Sequence, residues 1–444
     1  MKASLIIAGL TGLGLLAGCG ERDEILQGER FGVREALSTV AEGEAPADAT
    51  QTARGINLPA QTNPAAWTHR NGSAQHTIQH PALNRTLTPV WSANIGKGEN
   101  RKLRITADPV AASGLIFTLD AGATVTATSA ASGGVVWQRD LTPEPDKSGE
   151  ASGGGLAVAN GTLYASTGFG VLTALDATSG AVKWEQGFDG PVQGAPTVFD
   201  DLVYAVSRDN RAFAIEASNG RLRWELPGTP TPSVTANGAA PAVNDRIVIF
   251  PFGTAELVAT LRKGGIRVWG ATLAGERRGR AYTGFTDISG DPVIVGNTIY
   301  AANPSGRLVA LNAASGERLW TATEGALSPV WPAGDSLFLV SDQNQLIRMD
   351  ASDGSVIWST EMPVYVKEGR KKRRRKAIFA HYGPILAGGL LRVASSDGAL
   401  RSFDPATGAL VSQIDLPGGA ASNPIVVGGT LYVVTTKGTL QAYR

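Results

Sequence analysis

Cysteine is the scarcest useful residue in this chain, with one in 444 residues. A single thiol excludes an intramolecular disulfide and any multi-cysteine zinc or iron–sulfur centre. Histidine is nearly as rare, with four: His69, His76, His80 and His381. None joins Cys or carboxylate residues at metal-ligand spacing. His76 and His80 are four apart, but Pro81 follows and no helical pattern surrounds them, so no metal and no metal ligands are expected. Beyond the N-terminus no segment approaches 18 unbroken apolar residues, which leaves no candidate membrane-spanning helix. Glycine and proline are abundant instead. The 55 Gly and 24 Pro take about 18% of the chain, where about 12% is usual. They lack a Gly-X-Y period, which excludes collagen, and the 43% hydrophobic content excludes wholesale disorder. What remains is a globular chain with very many turns.

The position of the one cysteine explains its presence. Met1-Lys2 gives a short positive start, Leu5 to Leu16 is apolar apart from Gly and Thr, and Leu16-Ala17-Gly18-Cys19 follows. Residues 3–18 are too short to span a bilayer comfortably, so residues 1–18 read as a signal peptide. Small residues directly before a Cys resemble the bacterial lipobox. That resemblance implies acylation of Cys19 and cleavage ahead of it. Gly20 and Glu21 come next, without the Asp that retains enteric lipoproteins in the inner membrane, so the outer membrane, periplasmic face, is the expected location. A diacylglycerol plus an amide-linked chain passes the two-chain threshold for stable anchoring. From residue 19 to 86 the composition shifts to Glu, Ala, Gln, Thr and Pro, read as an acylated N-terminus and linker. Trp67 suggests that its last part packs against the body.

A repeat occupies the rest. Seven glycines mark equivalent turns: Gly133, Gly180, Gly220, Gly265, Gly316, Gly354 and Gly408. Four residues after the first six stands a tryptophan (Trp137, Trp184, Trp224, Trp269, Trp320, Trp358), and after the seventh stands Ser412. The separations run from 38 to 54 residues, the range of a four-stranded propeller blade. In Leu175-Asp176-Ala177-Thr178-Ser179-Gly180 a strand ends in Asp, whose side chain can bond the turn backbone, and Gly supplies the positive φ. A proline followed by an apolar or small residue begins seven units, at Pro109, Pro196, Pro241, Pro292, Pro329, Pro384 and Pro424, with Leu156 in the remaining one. The eighth unit stops at Arg444 without its last strand, while an unmatched strand, Thr88-Pro89-Val90-Trp91, precedes the first. The expectation is an all-β, eight-bladed β-propeller over 87–444, with four-stranded blades and the ring closed by the N-terminal strand.

The Asp-x-x-[Ser/Thr]-Gly-x-x-x-Trp unit resembles the PQQ-type propeller repeat. Joined to a lipobox and eight blades, it resembles the BamB family of outer-membrane assembly lipoproteins. The resemblance implies a scaffold without catalytic residues or cofactor, a member of the BAM complex that binds the POTRA domains of BamA, with unfolded outer membrane proteins as a further class of partner. In that family two neighbouring inter-blade loops bind POTRA through a Leu-x-Leu-Arg and an Asp-x-Asp segment. The first falls here on Ser233-Val234-Thr235-Ala236, which keeps none of those types, and the second on Asp287-Ile288-Ser289, which keeps the first Asp. Candidate anchors are therefore Val234, Arg278, Arg280, Tyr282, Phe285 and Asp287.

Two other readings stay open at this point. A quinoprotein dehydrogenase would need a Ca²⁺ site and a carboxylate base at the centre, yet Asp176, Glu216, Asp350 and Asp404 occupy the repeated turn position and read as turn caps. An envelope propeller binding polysaccharide or another partner is the third reading. One loop also stands apart. Lys367, Arg370, Lys371, Lys372, Arg373, Arg374, Arg375 and Lys376 surround a single Glu368, net plus seven in a chain of plus one. The signal peptide removes nucleic acid as its partner, leaving a solvated loop or contact with anionic lipid, lipopolysaccharide or an acidic protein.

Overall fold

Every one of the seven recurring glycines sits at φ between 68° and 76°, a region that residues with a Cβ rarely adopt. Each reverses the chain between the third and the outer strand of a four-stranded antiparallel sheet. The computed structural model describes residues 54–144, 146–192, 194–231, 238–273, 275, 287–365 and 378–444, all within the unit Ala49–Arg444. They form eight such sheets, arranged as the blades of a β-propeller. Blades 1 to 7 span 110–140, 154–187, 197–227, 242–272, 290–322, 331–361 and 381–415, each with its four strands in chain order. Blade 8 takes three strands from 425–443 and its outer strand from Pro89–Asn94, which pairs Pro89 with Tyr443 and Asn94 with Thr439. Thr88 and Arg444 exchange backbone hydrogen bonds of 2.9 Å beside that pair. The ring closes where the repeat pattern runs out.

Burial follows the radial position of each strand. Inner strands are buried on both faces because each blade is packed between two others; Thr162–Thr167, for instance, is buried throughout, its Thr and Ser side chains included. Outer strands face water, as Val135–Asp140 does. Prolines stand just ahead of the first strand or inside it. Pro292 and Pro384 lie inside, at register shifts between Gly290 and Val293 and between Tyr382 and Ile385, where the missing N–H costs no ladder bond.

The recurring tryptophan acts on the neighbouring blade rather than on its own. A Cβ placed on any of the seven glycines would come within 2.5–2.7 Å of the preceding blade's Trp, from Trp91 over Gly133 to Trp358 over Gly408. The indole N–H then donates to a carbonyl in that same turn, at 2.9 Å from Trp184 to Ala217 and 3.2 Å from Trp358 to Pro405. Seven of the eight seams are locked in this way. The exception lies between blades 7 and 8, where blade 8 is broken at Arg444 and has no turn glycine to receive a ring. Ser412 occupies the tryptophan position there, and Tyr443 Oη donates to Asp415 O at 3.4 Å instead.

The stretch ahead of the propeller departs from the linker reading. From Arg54 onward it is built into the ring. Residues 64–81 make one circuit of the axis and meet the blades in order. Gly428 of blade 8 donates to Pro64 O, Ala111 of blade 1 exchanges two bonds with Trp67, and Val158 of blade 2 donates to Thr68 O. Val198 of blade 3 donates to His69 Nε2, Val243 of blade 4 to Ala74 O and Ile294 of blade 5 to Gln75 O. Trp331 Nε1 of blade 6 donates to Gln79 O and Gly388 of blade 7 to Pro81 O. Trp67 and Trp331 stack across the axis, both almost wholly buried. Two buried arginines hold the arms of this belt: Arg348 donates to the carbonyls of Arg54 and Gly55, Arg392 to those of Asn84 and Arg85. The composition looked like a linker because most of these contacts are made by backbone groups, which leave no trace in residue type.

Candidate functional site

Each outer strand leads on to the next blade, and the described parts of these connections gather on one face of the propeller. On its axis opens a cavity of about 610 Å³, within the usual size of ligand sites. Its walls are mostly apolar, with Leu327, Val340, Ile378, Phe379 and Tyr382, and Leu327 and Ile378 at its margin are 57% and 65% exposed. Burial, with Glu99 and Asp108 adding to it, raises the Tyr382 phenol far above the ordinary tyrosine range.

Its floor is ionic. Arg70, in the turn Arg70–Gly72 of the axial belt, donates from Nε to Asp108 Oδ2 at 3.2 Å and from Nη1 to Asp291 Oδ1 at 3.1 Å. All three side chains are less than 5% exposed. Burial raises both carboxyl pKa values against the pull of the guanidinium. Asp108 also accepts two bonds from Asn423, whose Oδ1 in turn accepts from Ser328 Oγ and Gly383 N. His69 and His76 lie in the same belt. Their imidazoles are pushed down to about 3, first by burial, with His76 opposing charge on His69 and Arg70 opposing it on His76. They work as neutral hydrogen-bonding groups: His69 Nε2 accepts from Val198, and His76 Nδ1 meets Pro292 O at 2.9 Å.

The turn acids are occupied elsewhere. Asp176 Oδ1 accepts from the amides of Thr178 and Ser179, and Asp404 Oδ1 from those of Ala406 and Thr407. Asp350 accepts from the hydroxyl and amide of Ser352, which, with the paired Arg54 adding to them, hold its carboxyl down to about 2. Glu216 bonds Asn219 Nδ2 at 2.8 Å. These carboxylates cap turns, as their place in the repeat suggested.

Of the expected partner-contact residues, Asp287 is described. It is 5% exposed and lines a small pit with Gly238, Ala239, Arg208 and Asn210. The pit brings together the ends of the two loops that precede blades 4 and 5. Val234, Arg278, Arg280, Tyr282 and Phe285 lie outside the described residues, as do Cys19 and the basic residues Lys367, Arg370, Lys371, Lys372, Arg373, Arg374, Arg375 and Lys376. The described flanks of the basic run, Tyr365 and Ile378, pair as an antiparallel bridge beside the axial cavity. Sequence reasoning missed Arg70, since nothing in its neighbours marks a lone arginine between His69 and Asn71.

With this geometry in hand, comparison with known proteins decides the family. The family model described as outer membrane protein assembly factor BamB matches residues 121–360 and 369–444. The chain belongs to the BamB family. It is 28% identical over 371 residues to the outer membrane protein assembly factor BamB of Shewanella oneidensis, covering 81% of this chain and 90% of that one. Among solved structures, BamB from Moraxella catarrhalis aligns with a TM-score of 0.65 at 18% identity, over 81% of this chain and all of that one. A quinohemoprotein alcohol dehydrogenase from Comamonas testosteroni aligns with a TM-score of 0.64 at 16% identity, over 85% of this chain and 80% of that one. At such identities the structural likenesses speak for the fold alone. Within BamB-family chains, as in the dehydrogenases, function has to be argued from the site.

Proposed function

We propose that this BamB-family chain is a non-catalytic scaffold lipoprotein of the outer-membrane β-barrel assembly machinery. It is tethered through an acylated Cys19 to the periplasmic side of the outer membrane. Its loop face around blades 4 and 5, with Val234, Arg278, Arg280, Tyr282, Phe285 and Asp287, binds the POTRA domains of BamA. The observation that carries this reading is the family match, which extends over most of the ring. Supporting it, the roots of the two loops meet at one pit, so a single partner can bridge both. Aromatic and arginine side chains on such loops are the residue types that anchor interfaces.

The dehydrogenase-like fold implies a quinone held with Ca²⁺ at the axis, and the axial residues do not fit that group. The two carboxylates of the floor are engaged by Arg70. Among the described residues no three His, Cys, Asp or Glu side chains gather to hold an ion.

The test is direct binding of the purified full-length lipoprotein, in detergent, to the isolated POTRA region of BamA. Wild-type chain should bind, and the double variant Val234→Ala, Phe285→Ala should bind more weakly with an unchanged circular dichroism spectrum. Full retention of binding by the double variant would move the interface away from these loops.

A further inference from the structure

The fork of Arg70 reaches further than the two acids. Its Nη1 also donates to Gly238 O at 3.3 Å, the first described residue after the loop that precedes blade 4. Asp291 Oδ1, bound by the same Nη1, accepts in addition from Ala240 N at 2.8 Å. Asp291 stands four residues after Asp287, at the root of the loop that precedes blade 5. One guanidinium therefore holds the root of one loop through Gly238 and the root of the next through Asp291. The Ala240 amide, donating to the Asp291 carboxylate, ties those two roots directly to each other. On its other side Arg70 is fixed by Asp108, and through Asn423 by the segments that lead into blades 6, 7 and 8.

Three physical features make this arrangement specific to arginine. The guanidinium is planar, so its donors leave in fixed directions. Its partners are less than 5% exposed, so losing one of these bonds leaves a buried charge short of a partner. Its backbone belongs to the axial belt, which is bonded to all eight blades and cannot drift. A lysine at the same place would keep the charge and three donors, but all three leave one nitrogen and cannot reproduce the separate reach of Nε to Asp108 and of Nη1 to Asp291 and Gly238.

We infer that Arg70 is a positioning residue for the partner-binding face: it sets the relative placement of the described roots of the loops that precede blades 4 and 5, residues 238–240 and 287–291, without touching the partner itself. This inference rests on the proposed POTRA-binding role, and it assigns to the segment ahead of the propeller a part in recognition, namely fixing the separation and orientation of the two loop roots. A belt that merely filled the axis would stabilise the ring without biasing any one pair of loops.

The experiment compares full-length wild type, Arg70→Lys and Asp291→Asn in detergent by two readouts. The first is binding to the POTRA region of BamA; the second is amide hydrogen exchange followed peptide by peptide. The expected result for Arg70→Lys is faster exchange in residues 238–240 and 288–291, unchanged exchange in the outer strand of blade 2, and POTRA binding weakened about tenfold. Asp291→Asn keeps the acceptor for Ala240 and removes only the charge, so it stands in if the lysine variant does not fold, with the same local signature expected. Wild-type exchange at both roots in a folded variant, or wild-type affinity, would overturn the inference. Absence of POTRA binding by the wild type would instead overturn the interface reading, and the exchange data would still report on Arg70.

Discussion

The indole N–H of Trp137, in blade 1, lies 3.0 Å from the carbonyl oxygen of Ala177, in blade 2, and its ring covers the place where a side chain on Gly180 would start. Blade-to-blade adhesion thus depends on a residue that is absent as much as on one that is present. Gly180→Ala would put a methyl group 2.6 Å from the ring at a φ of 71°. Gly114→Ala shares the second problem, with φ at 77°, but has nothing within 4 Å. Positive φ costs roughly 1–2 kcal/mol, and overpacking adds roughly 1–3 kcal/mol. Denaturant unfolding should show Gly180→Ala clearly less stable than Gly114→Ala, which in turn should lie below wild type. Equal losses would remove the docking role of the tryptophan.

The buried imidazole of His76 makes a pH prediction whose sign is fixed by its folded pKa of about 3, below the unfolded 6.5. The unfolded chain takes up a proton below pH 6.5 that the folded chain refuses, so this group's contribution is full above pH 6.5 and is lost as pH falls toward 3. At pH 5 the loss amounts to roughly 2 kcal/mol. Asp108 and Asp291, raised by burial, act with the opposite sign in any protein that contains them. His76→Gln leaves them in place together with His69, which is also held down to about 3 mainly by burial and less by His76, so the difference between the two profiles reports chiefly on the His76 ring. Urea midpoints between pH 7.5 and 5 should fall less steeply in His76→Gln than in wild type. Parallel profiles would contradict the neutral buried ring.

Acylation at Cys19 is the proposed tether. Cys19→Ala should abolish lipid labelling and release the chain from membranes, while the propeller keeps its circular dichroism spectrum and unfolding midpoint. Continued acylation of the variant would refute the lipobox assignment.

For the basic run the proposed role is attraction to anionic surfaces, at about 1 kcal/mol for each Lys or Arg near the headgroups. Deleting residues 370–376 should lower binding to vesicles containing anionic lipid and flatten its dependence on salt, with thermal stability unchanged. A salt dependence identical to wild type would reduce the run to a solvated insertion.

Much of the fold could be read from spacing. Gly180 and Trp184, repeated with the proline lead-in, expose the blade count because each blade needs one tight turn and one seam ring. Closure could be read too, from the missing strand after Tyr443 and the spare one at Trp91. What spacing could not show is which turn a tryptophan docks on, since Trp184 is four residues from Gly180 in sequence yet packs on Gly220. The axial belt was hidden for a different reason. Thr68, Ala74 and Gln75 bind blades through carbonyls, and any residue has one. Arg70 has the same difficulty: its partners Asp108, Gly238 and Asp291 are brought to it only by ring closure.

The central claim is that this chain serves as a scaffold in β-barrel assembly, and purification of the intact lipoprotein from detergent-solubilised envelopes tests it most directly. The account predicts that BamA co-purifies with the wild-type chain, and that its yield drops with Val234→Ala, Phe285→Ala. Recovery of the intact chain without BamA, together with stoichiometric uptake of a quinone and Ca²⁺ by the purified protein, would contradict it.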